Sequence, residues 1–357
     1  MQSSKRRQRV AAALLFGASL SLSGCSVIAT GRPARDEPSA SQAPLPEAQA
    51  APAQGLAAGV LDRPLDTENA AALAEAMLLR RSWLRTLRDE GAFRSIAVEP
   101  QLSAEVSRLR QIKCCAPTPP IHHEIDLLTV AMPPVDDPGF FIARANVHRT
   151  AEPTAAYQYQ AVFVRLPEGI WRIAMVATGV SDRALYVGES SGSDSLTQGQ
   201  ARQLLSDVGD YYESWYSIGH PTAARQWGDG MSEAGAALWA LAKETVARDY
   251  GVEKQTYGVP ASSRVWVART DTGHDIVCGS VPAEISRDSR PGKVLTQGAK
   301  RSQWGAQIPP GRYVSWVEQS PYFVCVETPD AGRRIDLIGH ERWAVSAAVV
   351  PEKAIRS

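Results

Sequence analysis

Two stretches of this chain have the same order of elements, with helices first and strands afterwards. In the first stretch, good helix formers and regularly spaced apolar residues predict helices at 70–88 and 103–113. Four strand candidates follow, at 121–131, 140–149, 157–166 and 170–178. Short turns rich in Pro and Gly separate these strands, so we expect an antiparallel sheet packed against the helices.

The second stretch begins with helices predicted at 198–218, where Gly219 ends the first, and at 232–250. Its strand candidates are 263–270, 274–281, 312–318, 322–327, 334–338 and 342–350. The dipeptide Ser82-Trp83 recurs as Ser214-Trp215, which suggests a duplication. The sequence therefore predicts an α+β protein with two tandem modules. Their predicted bounds are 57–180 and 198–351, with a linker at 181–197 and a tail at 352–357.

The first 24 residues have the features of an export signal. Residues 5–9 contain four basic side chains, an apolar run covers 10–22, and small residues precede Cys25. A helix over 10–22 would be about 20 Å long, which is short for a hydrocarbon core of about 30 Å. The segment resembles the signal peptide and lipobox of bacterial lipoproteins. That resemblance implies cleavage between Gly24 and Cys25 and a lipid on the Cys25 thiol.

Residues 25–56 are predicted to form a disordered stalk behind the lipidated cysteine. The segment is rich in Ala, Pro, Ser and Gln and has too few apolar side chains to offset the entropy of ordering. Acyl chains at Cys25 would hold the protein on the extracytoplasmic face of a cell membrane. Removing residues 1–24 leaves 34 basic and 38 acidic residues, a net charge of −4. This charge gives no reason to expect nucleic-acid binding.

The order of helices and meandering strands resembles the cone-shaped fold of ketosteroid isomerase and nuclear-transport-factor-like domains. The whole arrangement is similar to an uncharacterised family of actinobacterial lipoproteins with two such modules behind a lipobox. The resemblance implies a concave interior between the helices and the sheet in each module. It implies no catalytic motif.

The four cysteines outside the lipobox suggest disulfide chemistry in an oxidising compartment. Cys278 and Cys325 lie in strand candidates of the second module and are the predicted disulfide pair, with two buried thiols as the alternative. The pairing of Cys114 and Cys115 stays open. His122 and His123 are adjacent, so they point to opposite faces of a regular strand. We expect no metal site.

The candidate for catalysis in the first module is His123. On the strand at 121–130, Ile125 shares the apolar face with His123, whereas Glu124 shares the polar face with His122. His123 would point into the concave interior, where Tyr159 is a second candidate for the cavity wall, along with Tyr157 and Phe163. The alternative is a hydrogen-bonded core histidine.

No nucleophile elbow, phosphate loop or zinc helix is present in the sequence, so no catalytic residue and no cofactor are assigned. We expect a lipid-anchored module that binds an envelope protein, a lipid or a glycan without catalysis. Two alternatives are an enzyme of the isomerase or dehydratase type around His123 and a structural adaptor for cell-wall or secretion machinery. An enzyme predicts an enclosed cavity, whereas a binding module predicts a filled core and an exposed apolar patch.

Overall fold

The structure is a computed structural model that describes most of the chain after residue 54. The described residues are 55–61, 64–112, 123–133, 138–149, 152–179, 195–220, 226–247, 253–258, 263–289, 294–297, 308–309, 311–328, 334–342 and 346–352. They form helices and mostly antiparallel sheets, so the protein has an α+β fold. The predicted signal peptide lies outside the described residues, as does nearly all of the predicted stalk.

Among the described residues from 64 onwards, the first half contains three helices and one four-stranded sheet. The helices are α1 (Thr67–Leu87), α2 (Glu90–Phe93) and α3 (Gln101–Ile112). The strands are β1 (His123–Ala131), β2 (Phe140–Arg149), β3 (Glu152–Arg165) and β4 (Trp171–Thr178). They pair in chain order, each antiparallel to the next. Such a meander needs only short turns, which the sequence provides.

The described part of the second half contains two long helices, α4 (Gln198–Ile218) and α5 (Asp229–Ala247), and ten strands. The strands are β5 (Gln226–Trp227), β6 (Glu253–Tyr257), β7 (Val265–Arg269), β8 (Asp275–Val281), β9 (Ala283–Asp288), β10 (Leu295–Gln297), β11 (Gly311–Gln319), β12 (Tyr322–Thr328), β13 (Arg334–Arg342) and β14 (Ser346–Pro351). One sheet has the order β5-β13-β12-β8-β7. The other has the order β10-β11-β9-β6, and β14 also pairs with β11.

The two sheets of the second half continue into each other. Strand β8 leads into β9 after Pro282, and β11 leads into β12 after Ser320 and Pro321. In both sheets these strands are neighbours, since β12 pairs with β8 and β11 pairs with β9. The pairs therefore form long strands that bend at the proline positions, where a backbone donor for the ladder is missing. Helix α4 packs on one side of this bent sheet.

The ends of the long helices are fixed by local side-chain chemistry. At the start of α1 the Asp66 side chain accepts a hydrogen bond from the backbone N–H of Asn69 at 2.7 Å. At the start of α4, Thr197 and Gln200 form a capping box. Gly219 ends α4 with a φ of 77°, a left-handed conformation that glycine adopts without strain. The predicted end of this helix is confirmed.

Three of the four apolar clusters in the described core lie between helices and sheets or between two sheets. Buried residues of α1 meet Phe141, Phe163 and Trp171 on one face of the first sheet. Buried residues of α4 and α5 meet one face of the second-half sheet, at positions such as Val324. The third layer lies between the sheet of the first half and the second-half sheet that contains β7, β8 and β12, and these two sheets thus pack face to face. Its members are Ala104, Ala131, Ile142, Val162, Val164, Ala174, Met175, Ala177, Trp266, Ala268, Ile276, Cys278, Phe323 and Cys325.

A backbone hydrogen bond links the two halves, and a disulfide cross-links two strands of the second half. At one corner Arg269, at the end of β7, donates its backbone N–H to the carbonyl of Met132 beyond β1, at 3.1 Å. Within the second-half sheet, Cys278 and Cys325 are directly opposite on β8 and β12 and form a disulfide of 2.03 Å. The predicted pairing of these cysteines is therefore the one in the structure. Both residues are completely buried and face the first sheet.

Most predicted elements are present in the structure, and the differences concern short or polar segments. The helix α2 and the strands β5, β6, β9 and β10 were not predicted. Strand β3 begins at Glu152, five residues before the predicted start. Strands β6 and β9 are short and largely polar in sequence, and their backbone hydrogen bonds come from β9 pairing with both β6 and β11.

Within the described residues, no helix combines the length and the hydropathy that a transmembrane span requires.

Loss of the disulfide is expected to destabilise the fold without changing its topology. The bond closes a loop with a sequence separation of 47, for which chain entropy gives about 4 kcal/mol. We expect the double variant Cys278→Ala, Cys325→Ala to unfold at lower urea concentration than the wild type. Reductant should lower the midpoint of the wild type but not that of the variant. Equal wild-type midpoints with and without reductant would contradict a stabilising bond.

Candidate functional site

An aromatic cluster with one histidine lies inside the second half, at the bend of the sheet. It consists of Tyr212 on α4, Tyr257 on β6, Tyr322 on β12 and His340 on β13. The ring of His340 stacks on Tyr322, with centroids 4.9 Å apart and an interplanar angle of 12°. Tyr212 lies 5.3 Å from His340 and 5.5 Å from Tyr322. Tyr257 closes the cluster at 5.6 Å from Tyr322.

The positions of these rings follow from the periodicity of their elements. Tyr212 shares the inner face of α4 with Leu205 and Val208. Val208 lies four residues before Tyr212, and Leu205 lies seven residues, or about two turns, before it. His340 is opposite Val324, whose side chain packs beneath the helices, so both face α4. Tyr257 is opposite Ala283 just beyond the bend. The bend therefore brings β6 and β12 close enough for their tyrosines to touch.

Three rings of this cluster, those of Tyr212, Tyr257 and His340, are held neutral near pH 7. Burial, together with the nearby positive charge of Arg342, lowers the pKa of His340 to about 4. Burial raises the pKa values of Tyr212 and Tyr257 well above 10. The His340 Nε2 and the Tyr212 hydroxyl are buried and have no hydrogen-bond partner among the described residues. These two atoms can bind a neutral polar group or an ordered water.

A charged pair lies beside the aromatic cluster. The Arg342 guanidinium is 5.7 Å from the centroid of Tyr322 and donates to Glu318 Oε1 at 2.8 Å. Ser320 also donates its hydroxyl to Glu318. Glu318 is completely buried, and its partner balances its charge. The pair fixes the end of β13 against the bend and adds no net charge to the site.

A second polar group, here called the arginine cluster, lies beneath helices α1 and α3. It consists of Arg81, Arg85, Glu105, Arg108 and Glu341. Arg81 donates to Glu105 Oε1 at 2.6 Å, and Arg85 donates to both oxygens of Glu105 at 2.8 Å. Burial alone raises the pKa of Glu105, but Arg81 and Arg85 outweigh it and hold this pKa well below its usual range. Glu105 is therefore ionised at any physiological pH.

The arginine cluster connects the two halves of the molecule. Arg108 on α3 lies 3.8 Å from Glu341 on β13. Burial and the neighbouring Arg85 lower the pKa of Arg108 to about 10. Burial also raises the pKa of Glu341, although three arginines oppose this effect. The cluster contains three arginines and two glutamates, and its contacts join the two halves.

A third polar group lies between the sheets, at His274 and Glu327. The Nδ1 of His274 is 2.9 Å from Glu327 Oε1, and both side chains are buried. Burial raises the pKa of Glu327, although its hydrogen bond to His274 and the charge of Arg144 act in the opposite direction. Arg144 belongs to β2 of the first half, so this group also crosses the layer between the sheets.

The predicted site residues have different outcomes in the structure. Gly24, Cys25, Cys114, Cys115 and His122 lie outside the described residues. His123 begins β1 opposite Arg149, and its side chain is outside the described part, as is that of Tyr157. The alternation around His123 holds, since Ile125 is buried whereas Glu124 and Asp126 are exposed.

Tyr159, the second predicted cavity residue, is half-buried against the apolar core of the first half. The Arg81 guanidinium lies 5.4 Å from the centre of its ring. Next to it, Phe141 stacks on Phe163 at 4.7 Å and meets Trp171 at 5.3 Å. These side chains occupy the space between α1 and the sheet. Tyr159 therefore contributes to a packed interior that includes the arginine cluster.

An exposed apolar patch lies on the outer side of the first half. Trp83 and Leu87, one turn apart near the end of α1, are 42% and 44% exposed. The Arg80 guanidinium stacks on Trp83, 4.5 Å from the ring centroid. Large apolar side chains with this exposure, neighbouring one another on a helix, are typical of interaction surfaces. This patch is the candidate interaction surface of the protein.

The described residues contain no group of three or more His, Cys, Asp or Glu side chains arranged to hold a metal ion. No protein-family model matches the chain, and a search of curated proteins finds no significant relative. The functional reading consequently depends on the residues and contacts of this chain itself.

Sequence reasoning missed the aromatic cluster and the arginine cluster. The residues that form them lie far apart in the chain, on α4, β6, β12 and β13 in one case and on α1, α3 and β13 in the other. One local signal was present: on β13, His340 and Arg342 alternate with Gly339 and Glu341. Such alternation indicates that the two faces of the strand contact different surroundings.

His340 is expected to make the fold sensitive to mild acid. Its pKa of about 4 in the folded state lies below the ordinary value of 6.5, so the unfolded chain binds more protons between these pH values. Stability should therefore fall as the pH drops from about 6.5 towards 4, by about 2 kcal/mol for this half-buried residue.

The variant His340→Phe keeps the stack on Tyr322 but cannot titrate, so its stability should change less over this range. Urea unfolding at pH 7 and pH 5 measures the difference. The control is His148→Phe, which alters an imidazole beside Glu124 on the surface of the first sheet. If His340→Phe loses as much stability as the wild type between the two pH values, the account of His340 is wrong.

Proposed function

We propose that this protein is lipid-anchored on the extracytoplasmic side of a bacterial cell membrane and acts there by binding a partner, without catalysis. The lipobox at Cys25 supports the anchor, because two acyl chains suffice for stable attachment. The Cys278–Cys325 disulfide supports folding in an oxidising compartment, where such bonds form and persist. Neither feature depends on a transmembrane helix.

The observation that carries the binding proposal is the exposed pair Trp83 and Leu87 above a filled core. An enzyme of the isomerase type needs an open interior with an acid or base whose pKa lies near the working pH. In the first half, aromatic side chains fill the described interior. In the second half, His340 has a pKa of about 4, which is too low for efficient proton transfer near neutrality. A binding function, in contrast, requires only an exposed apolar surface such as the one formed by Trp83 and Leu87.

Two alternatives remain predictions. An enzyme centred on His123 would require its imidazole to face an interior cavity with a second polar group, for which Tyr159 is the candidate from the sequence. A structural adaptor for cell-wall or secretion machinery would use the same outer surface as a binding module. It would differ by engaging a large, immobile assembly.

The anchor is tested with the full-length chain expressed in a bacterium that processes lipoproteins. We expect the wild type in the membrane fraction, with residues 1–24 removed and a diacylglyceryl group on Cys25. The variant Cys25→Ser should lose the lipid and its cleavage at Gly24, because the acceptor thiol is missing. Mass spectrometry of the N-terminal peptide and fractionation after a carbonate wash provide the measurements.

The matched control is Cys114→Ser, which removes a cysteine outside the lipobox and should leave processing and membrane attachment unchanged. A wild-type protein that starts at Met1, carries an unmodified Cys25 and remains in the cytosol would contradict the proposal.

A further inference from the structure

The arginine cluster contains two buried polar atoms that its own contacts leave unused. Arg81 Nη2 and Glu341 Oε2 are buried, and neither atom has a hydrogen-bond partner among the described residues. Arg81 is buried as a whole, so bulk solvent does not reach its guanidinium. A buried donor or acceptor without a partner loses its hydration and gains no bond in exchange. A further group that serves these two atoms would remove this cost.

Glu105 does not serve Arg81 Nη2, because its two oxygens already have four donors. Its Oε1 accepts hydrogen bonds from Arg81 Nε, Arg85 Nη2 and Gln101 Nε2, at 2.6, 2.8 and 2.7 Å. Its Oε2 accepts from Arg85 Nε at 2.8 Å. An ionised carboxyl group has about four lone-pair sites, so Glu105 is saturated. The additional acceptor for Arg81 is therefore a different group.

Glu341 is close to Arg81 without being bonded to it. Burial raises the pKa of Glu341, and of the three arginines that oppose this effect Arg81 acts most strongly. Because the attraction between charges falls with distance, the two side chains are neighbours. Their unused atoms, a donor and an acceptor, nevertheless have no hydrogen-bond partner among the described residues. A small bridging group would satisfy both atoms.

The chemistry of the two atoms defines the bridging group, which has to accept a hydrogen bond from a guanidinium and donate one to a carboxylate. Water meets both conditions, but the cluster contains three arginines and two glutamates, which favours an anion over a neutral molecule. Among small anions, chloride and sulfate have no proton to donate at neutral pH. Hydrogen phosphate retains a P–OH group, and its other oxygens accept from arginine.

The cluster is open to solvent at one end. The side chain of Arg81 is 2% exposed, whereas that of Arg85 is 14% exposed and that of Glu341 is 15% exposed. The side chain of Arg108 is 32% exposed. Exposure thus increases from Arg81 towards Arg108, whose side chain is long and flexible. A small ion can enter past Arg108, whereas a large ligand would have to separate the halves.

We propose that the arginine cluster binds one inorganic phosphate ion, as hydrogen phosphate, between the two halves of the molecule. The ion accepts hydrogen bonds from Arg81 and Arg108 and donates its P–OH to Glu341. It thereby joins α1, α3 and β13, so its binding stabilises the contact between the halves. This inference goes beyond the proposed function, because it names a second ligand and depends neither on the anchor nor on the exposed patch of Trp83 and Leu87.

The test measures the affinity of the purified full chain for inorganic phosphate by isothermal titration calorimetry, at pH 7.5 and constant ionic strength. Sulfate has the same shape as phosphate but no proton. Glycerol 3-phosphate is a monoester with a second pKa of about 6, so it has mostly lost its proton at this pH. Inorganic phosphate should bind at least about tenfold more tightly than either, or by about 1.4 kcal/mol, because the other two leave Glu341 without a donor.

The variant Glu341→Gln tests the selectivity, because its amide donates to any oxyanion. Its affinity for sulfate should rise at least about fivefold, and its preference for phosphate over sulfate should fall to within about threefold.

The variant Arg108→Gln removes a charged donor at the open end and should weaken phosphate binding about tenfold or more. The matched control is Arg110→Gln on the same helix, where the arginine side chain is 57% exposed and lies 3.4 Å from Glu90. The control should bind phosphate within about twofold of the wild type. Far-UV circular dichroism verifies that each variant is folded.

The inference is overturned if the wild type binds no phosphate or binds sulfate as tightly. It is also overturned if Glu341→Gln keeps the wild-type preference, or if Arg108→Gln binds phosphate as well as Arg110→Gln does. Crystals grown in phosphate that contain only a water molecule between Arg81 and Glu341 would likewise overturn it. In each case the proposed anchor and the exposed patch still stand, since neither contributes to this test.

Discussion

The packing of the first-half sheet on the second-half sheet that contains β7, β8 and β12 is the constraint on which the rest of this molecule depends. Each sheet has helices on one face and needs an apolar partner for its second face, and each supplies that partner to the other. Phe323 and the buried disulfide of Cys278 and Cys325 lie in this layer. The halves that look independent in the sequence therefore share one core in the structure.

Strand β13 links the packing of the sheets to the polar clusters, because each of its two faces contacts a different cluster. One side of the strand presents Gly339 against Gln160 of β3 and Glu341 near Arg108 of α3. The other side presents His340 and Arg342 to the tyrosines at the bend. A shift of one residue in the register of β13 would exchange these faces and bury both sets of groups among the wrong partners. The interface between the sheets fixes that register.

The α+β class, the disulfide and most of the long helices and strands were predictable from the sequence, because helix periodicity, turn residues and strand alternation are local signals. The end of α4 at Gly219 is an example. Strands β6 and β9 were not predictable, since their pairing partners are distant in the chain and their sequences are polar. The same reason applies to the site: Glu105 and Glu341 are brought together only by packing between the halves. His123 remains a candidate from the sequence, whereas the exposure of Trp83 could be recognised only from the folded structure.

The central claim is that the two halves form one cooperative unit through the layer between their sheets. Differential scanning calorimetry of the full chain, with the disulfide intact, tests it most directly. The account predicts a single transition whose calorimetric and van't Hoff enthalpies agree. Two separate transitions, with one half remaining folded after the other has melted, would contradict it.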